Sequence, residues 1–167
     1  MIDANQLVLD WMLTPSLTIN GELVVNQVPV LLASLLTPGG AYPNNTADRI
    51  YAGHLIPGFD AKYGPGGVIR IGPGTSAGTG GGSAHPEAPI ISPRVQMTWW
   101  APAAQYDMAR KLYRASFDWM HGRNNLDFGD VGYILSCLEQ VEGQDYDDPQ
   151  SGLATNISFW QVKALRD

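Results

Sequence analysis

Basic charge is scarce in this chain, and cysteine nearly absent. Ten Lys and Arg residues stand against sixteen Asp and Glu, for a net charge of −6. No basic run is present that could grip a nucleic-acid backbone. This balance favours solubility and argues against tight DNA binding. The single cysteine, Cys137, excludes an internal disulfide. It lies in a predicted core strand, where an unpaired thiol behaves as a small buried hydrophobe. Charged residues are only 16% of the chain, below the ~25% usual in globular proteins. No apolar run nears the ~18 residues of a membrane span. The basic n-region of a signal peptide is also missing. The glycosylation-acceptor matches Asn44-Asn-Thr46 and Asn156-Ile-Ser158 are therefore read as chance.

What the sequence does have is one strand running straight into one long helix. In Arg94-Val-Gln-Met-Thr-Trp-Trp100, residues Val95, Met97 and Trp99 alternate with polar neighbours, the period of a strand with one buried face. Pro102 suits a first helical turn, and Gly122 supplies a stop. The spacing predicts a helix over about 102–121 with Ala104, Met108, Leu112, Ala115 and Trp119 on its apolar face. The opposite face carries Asp107, Arg110, Lys111, Arg114 and Asp118, with Asp107–Lys111 and Arg114–Asp118 spaced to pair.

Ahead of this unit, residues 2–13 read as a short helix ended by Pro15. Residues 16–25 read as a hairpin around Asn20-Gly21, a dipeptide that tolerates the positive φ of a two-residue turn. A second short helix is expected over 28–36, then strands at Arg49-Ile-Tyr51 and Val68–Ile71. Residues 72–93, rich in glycine, proline and serine, cannot bury enough surface to offset their ordering entropy and are expected to form a flexible arm between two adjacent strands. Beyond the long helix come a turn at Asn124–Asn125, a strand over 131–139, an acidic loop over 143–149, and a final strand over 155–164 with Ser158, Trp160, Val162 and Ala164 on one side. The sum is a single α+β domain: a mostly antiparallel sheet, the long helix and one or two short N-terminal helices packed on one face, and long Gly/Pro-rich loops.

The residues carry few marks of catalytic or ligand-binding chemistry. The glycine arm lacks the Lys-Ser or Lys-Thr of a phosphate loop and the spacing of a dinucleotide fingerprint. His54, His85 and His121 show no metal-ligand spacing. Asp145, Asp147 and Asp148 lack the remainder of a calcium loop. No Gly-x-Ser-x-Gly elbow marks a nucleophile. Adjacent Trp99 and Trp100 must point to opposite faces, so Trp100 is expected to be exposed on the helix-free face as an anchor for another protein. No catalytic residue, cofactor or metal is nominated. A small enzyme or ligand-binding module using the tryptophans and the glycine arm as a lid is the competing reading from a different class.

The order of elements, with its Arg49-Ile-Tyr51 strand, mobile loop, helix of about twenty residues and Phe159-Trp-Gln-Val162 strand near the end, resembles the tail terminator, or tail completion, proteins of long-tailed bacteriophages. The resemblance spans about residues 28–165. It implies a non-enzymatic virion subunit that forms a ring, commonly a hexamer, at the head-proximal end of the tail after assembly in the host cytoplasm. Such a ring caps the tail tube, meets a head-completion or connector protein, and lets DNA pass without binding it specifically. No membrane is involved. A head-closure or neck ring protein of the same virion is the nearest alternative. Within a head-to-tail ring, the cationic Arg110, Lys111 and Arg114 are expected to meet the acidic Asp145, Asp147 and Asp148 of a neighbour.

Overall fold

The computed structural model describes residues 4–26, 36, 50–52, 65–71, 90–92, 94–128, 132–147 and 152–165. In chain order these form α1 (Ala4–Leu13), β1 (Ser16–Ile19), β2 (Glu22–Val25), β3 (Ile50–Ala52), β4 (Gly66–Ile71), β5 (Ile90–Ile91), β6 (Arg94–Ala101), α2 (Tyr106–Met120), β7 (Arg123–Asp127), β8 (Tyr133–Asp147) and β9 (Ala154–Leu165). All nine strands join one sheet in the order β2-β1-β7-β8-β9-β6-β4-β3, with β5 paired to β9. Every pairing is antiparallel except β3 with β4. The α+β class and the mostly antiparallel sheet are as the sequence implies.

The core forms where the strand period and the helix period meet. Val95, Met97 and Trp99 of β6 and Trp160, Val162 and Ala164 of β9 point to one face of the sheet. Helix α2 lies on that face across β6, β8 and β9, while α1 packs against β3 and β4. Leu7, Trp11 and Met12 of α1, with Leu112 and Met120 of α2, complete a single cluster that also takes in Leu36. Each large side chain so buried contributes roughly 1.5–3 kcal/mol. The rest of the expected 28–36 helix lies outside the described residues.

Helix α2 starts four residues later than its sequence suggests. Residues 102–105 form a turn closed by the Gln105 N–H donating to the Pro102 carbonyl at 3.0 Å. Ala104 adopts φ 63° there, a conformation the methyl group disfavours by about 1–2 kcal/mol. The buried face is correspondingly rotated: it comprises Ala109, Leu112, Tyr113, Ala115, Ser116 and Met120, with Met108 and Trp119 only half-buried. Ser116 can be buried because its hydroxyl donates to the Leu112 carbonyl at 3.0 Å. Arg114 and Asp118 pair as expected at 3.3 Å, whereas Asp107 contacts Arg110, not Lys111, at 3.5 Å.

Four other expectations are corrected. The acidic 143–149 segment is not a loop up to Asp147; it is the outer half of β8, laddered to β9 through three register shifts. Asn124 and Asn125 lie within β7 and not in a turn. The end of the 72–93 arm is fixed, because Ile90–Ile91 pair with Leu165 and Ala164 in the same register along β9 that β6 continues. Gln161 Nε2 then donates to the Ser92 carbonyl and hydroxyl at 2.8 and 2.7 Å. Residues 72–89 lie outside the described residues. Finally, Trp100 faces away from the helices but is only 4% exposed, and Gln96 on the same side is buried as well. Strand β6 thus has two buried faces.

Two substitutions test this packing. A Cβ at Gly67 would run into the Trp99 ring, so Gly67→Ala is expected to lower unfolding stability in urea by about 1–3 kcal/mol. Ala104→Gly relieves the positive-φ strain and is expected to raise stability by up to about 1 kcal/mol in the same assay.

Candidate interaction site

The outer half of β8 rises beside α2, and the two enclose a groove of about 460 Å³. Its helical wall is formed by Asp107, Arg110, Lys111, Tyr113 and Arg114, all but Tyr113 singled out in the sequence. Asp145 lines the facing strand, with Asn156 of β9 between them. Arg110 places Nε and Nη2 on one oxygen of Asp145, at 2.7 and 2.5 Å. The other Asp145 oxygen accepts a bond from Asn156 Nδ2 at 3.0 Å. The charges expected to meet across a subunit boundary are therefore engaged within one chain at this pair.

The ionisation of the pair follows from these contacts. Partial desolvation pushes the Asp145 carboxyl up, but the bonds from Arg110 and Asn156 outweigh it and hold the group below its usual range. The bond to Asp145 raises Arg110 in turn. The strand can approach the helix this closely because residue 143 is glycine. A Cβ there would strike Asn156 Oδ1 and the Tyr113 ring. Asp147 is exposed at the end of β8, Asp148 lies outside the described residues, and Trp100 sits on the far face of the sheet.

Below the groove is a second polar group that the sequence did not reveal. Burial raises the Glu139 carboxyl, opposed by a hydrogen bond with Tyr113 and by the nearby His121. Tyr113 is pushed up to about 12, chiefly by burial. The Glu139 backbone N–H donates to His121 Nδ1 at 3.2 Å, which places the imidazole proton on Nε2 while that bond holds. The His121 ring stacks on Phe117, with centroids 4.7 Å apart. Glu139 and Tyr113 carry no sequence signal, because neither belongs to a spaced motif: one follows Cys137-Leu138 in an apolar strand, and the other falls between the two expected helix faces. Burial also pushes the Cys137 thiol up, keeping it protonated and unreactive at neutral pH. Among the described residues no group of three or more His, Cys, Asp or Glu could hold a metal ion. His54 and His85 are outside those residues.

No protein-family profile matches the chain, and no curated protein matches it. Among solved structures it is similar to a chain from the virion of a native gene transfer agent particle, with a TM-score of 0.51 and 13% sequence identity. The match covers 81% of this chain and 85% of that one. At such identity the likeness is one of fold.

The two carboxylates make opposite demands on pH. The raised pKa of Glu139 stabilises the fold at acid pH, and that contribution is lost as pH rises through the folded value. Asp145, held low, contributes above its unfolded pKa and ceases to as pH falls through its folded one. Glu139→Gln is accordingly expected to be more stable than wild type at pH 7 and to lose that advantage on acidification below about pH 4. Asp145→Asn is expected to be less stable at pH 7 and to converge on wild type in strong acid. Urea midpoints measured across pH for the three proteins check both directions.

Proposed function

We propose that this chain is a structural subunit of a phage-like virion and, within it, a tail terminator: a ring of copies, six in the expected arrangement, that caps the tail tube and joins it to a head-side connector. The observation that carries the reading is the fold shared, over most of both chains, with a component of the gene transfer agent virion. The role requires no bond to be made or broken. It calls instead for a rigid frame with charged outer surfaces, and the continuous sheet and the groove beside α2 supply these. Ring contacts are assigned to Lys111, Arg114, Asp147 and Asp148; Trp100 is buried and is not among them; Arg110 and Asp145 act by holding the outer half of β8 in place. Tail tube protein and a head-completion protein are the partners, and DNA crosses the ring without specific binding.

The test is to mix the purified protein with assembled tail tubes and locate it. The expected result is a closed ring by native mass measurement and label at one tube end only, the end that faces the head. Lys111→Glu should weaken ring formation at low salt, and added salt should narrow the difference from wild type. A protein that stays off the tubes under all these conditions refutes the proposal. Label on tailless heads instead would make it a neck or head-closure ring.

A further inference from the structure

Strand β2 carries the most exposed apolar side chains among the described residues: Leu23 is 77% and Val25 63% exposed, with Val24 partly covered. It ends the sheet and pairs only with β1 among the described strands. Edge strands of stable monomers are commonly guarded by a lysine, a proline or a bulge. None guards β2: Glu22 is its one charge, and the register with β1 runs unbroken from Ser16↔Val25 to Ile19↔Glu22. The turn fixes where its backbone groups point. With Asn20 and Gly21 both at positive φ, the two-residue loop makes Ile19 and Glu22 a hydrogen-bonded pair, and alternate residues follow the same phase. Asn26, in that phase, donates its N–H to the Pro15 carbonyl at 2.9 Å. The N–H and C=O groups of Leu23 and Val25 consequently point outward, away from β1.

We propose that β2 docks antiparallel on β2 of a second copy of this chain, about a two-fold axis at Val24. In that register Leu23 of each copy lies opposite Val25 of the other. Each of these two pairs exchanges both of its hydrogen bonds, so all four outward-pointing residues are satisfied. Leu23 and Val25 share a face of the sheet, so their side chains cover one another. Val24 meets Val24, and Glu22 falls opposite Asn26, so no like charges face each other. A one-residue slip would set outward-pointing groups against inward-pointing ones and send facing side chains to opposite sides. The strand is its own complement, which is why a second copy is the occupant. The contact is isologous and stands apart from the head-to-tail contact that would close a ring. Its small extent makes it reversible, a cover for the apolar edge of the free subunit.

Val24→Cys sets two thiols across a non-hydrogen-bonded pair, whose Cβ separation suits a disulfide. Under mild oxidation the full-length variant is expected to form a covalent dimer at least about tenfold faster than Leu138→Cys, an exposed control on β8. Thiol reductant should return it to monomer, and buried Cys137 takes no part. Wild type should show concentration-dependent dimer in light scattering. Leu23→Lys/Val25→Lys should abolish that dimer with an unchanged circular dichroism spectrum. Cross-linking no faster than the control, or wild type monomeric up to about a hundred micromolar, overturns the edge pairing. Tube capping reads the ring separately: capping by the double-Lys variant without dimer leaves the ring standing, wild-type dimer without capping leaves the edge contact standing, and a double-Lys variant that still dimerises overturns the edge pairing.

Discussion

Strand β9 is the member on which the rest of the sheet is hung. It pairs along its length with β8 on one side and with β6 and β5 on the other. Its helix-facing residues Ala154, Asn156, Ser158, Trp160, Val162 and Ala164 are all buried. Trp160 is the largest of these, and its indole N–H donates to Ser158 Oγ at 2.8 Å, two residues away on the same face. A wide aromatic surface is thereby buried without stranding its polar atom. Helix α2 rests on this strip, and Phe117 and His121 reach the Trp160 ring from above. Remove that floor and α2, the groove and the Arg110–Asp145 pair lose their common support.

Those parts of the fold whose burial is one-sided and periodic were legible in the sequence. Helix α1, the Asn20-Gly21 hairpin, the helix-facing residues of β6 and the whole of β9 follow from spacing and turn chemistry alone. The outer half of β8 did not show itself because its residues are exposed for most of their length. Gln144, Asp145 and Asp147 resemble a loop in composition, and only the ladder to β9 makes them a strand. The phase of α2 was lost for a different reason. Ser116 and Tyr113 look wrong for a core face, yet Ser116 satisfies its hydroxyl on the helix backbone, and Tyr113 interacts with Glu139 and Gly143 of β8.

The candidate site was half legible on the same grounds. The cationic face of α2 is readable from helical spacing, and Arg110, Lys111 and Arg114 do line one wall of the groove. Their acidic counterpart could not be placed, since a loop assignment left Asp145 free to meet anything. Once β8 is extended, Asp145 is carried directly beside Arg110, and the pair serves intramolecular order. Gly143 is the residue that makes this possible, and nothing in a single sequence separates a glycine needed for close approach from one in a flexible turn.

The tryptophans carry a practical consequence. Trp11, Trp99, Trp100 and Trp160 belong to three different elements and are all buried, while Trp119 is half-exposed with the Arg123 guanidinium 5.0 Å above its ring. Intrinsic emission from this chain is thus dominated by interior indoles distributed between α1, β6 and β9. A single spectral shift to the red on denaturation would report the whole sheet and its helices parting at once. An early, small change confined to one fluorophore would point to the hairpin end of the molecule, where Trp119 sits next to Val24 and Val25.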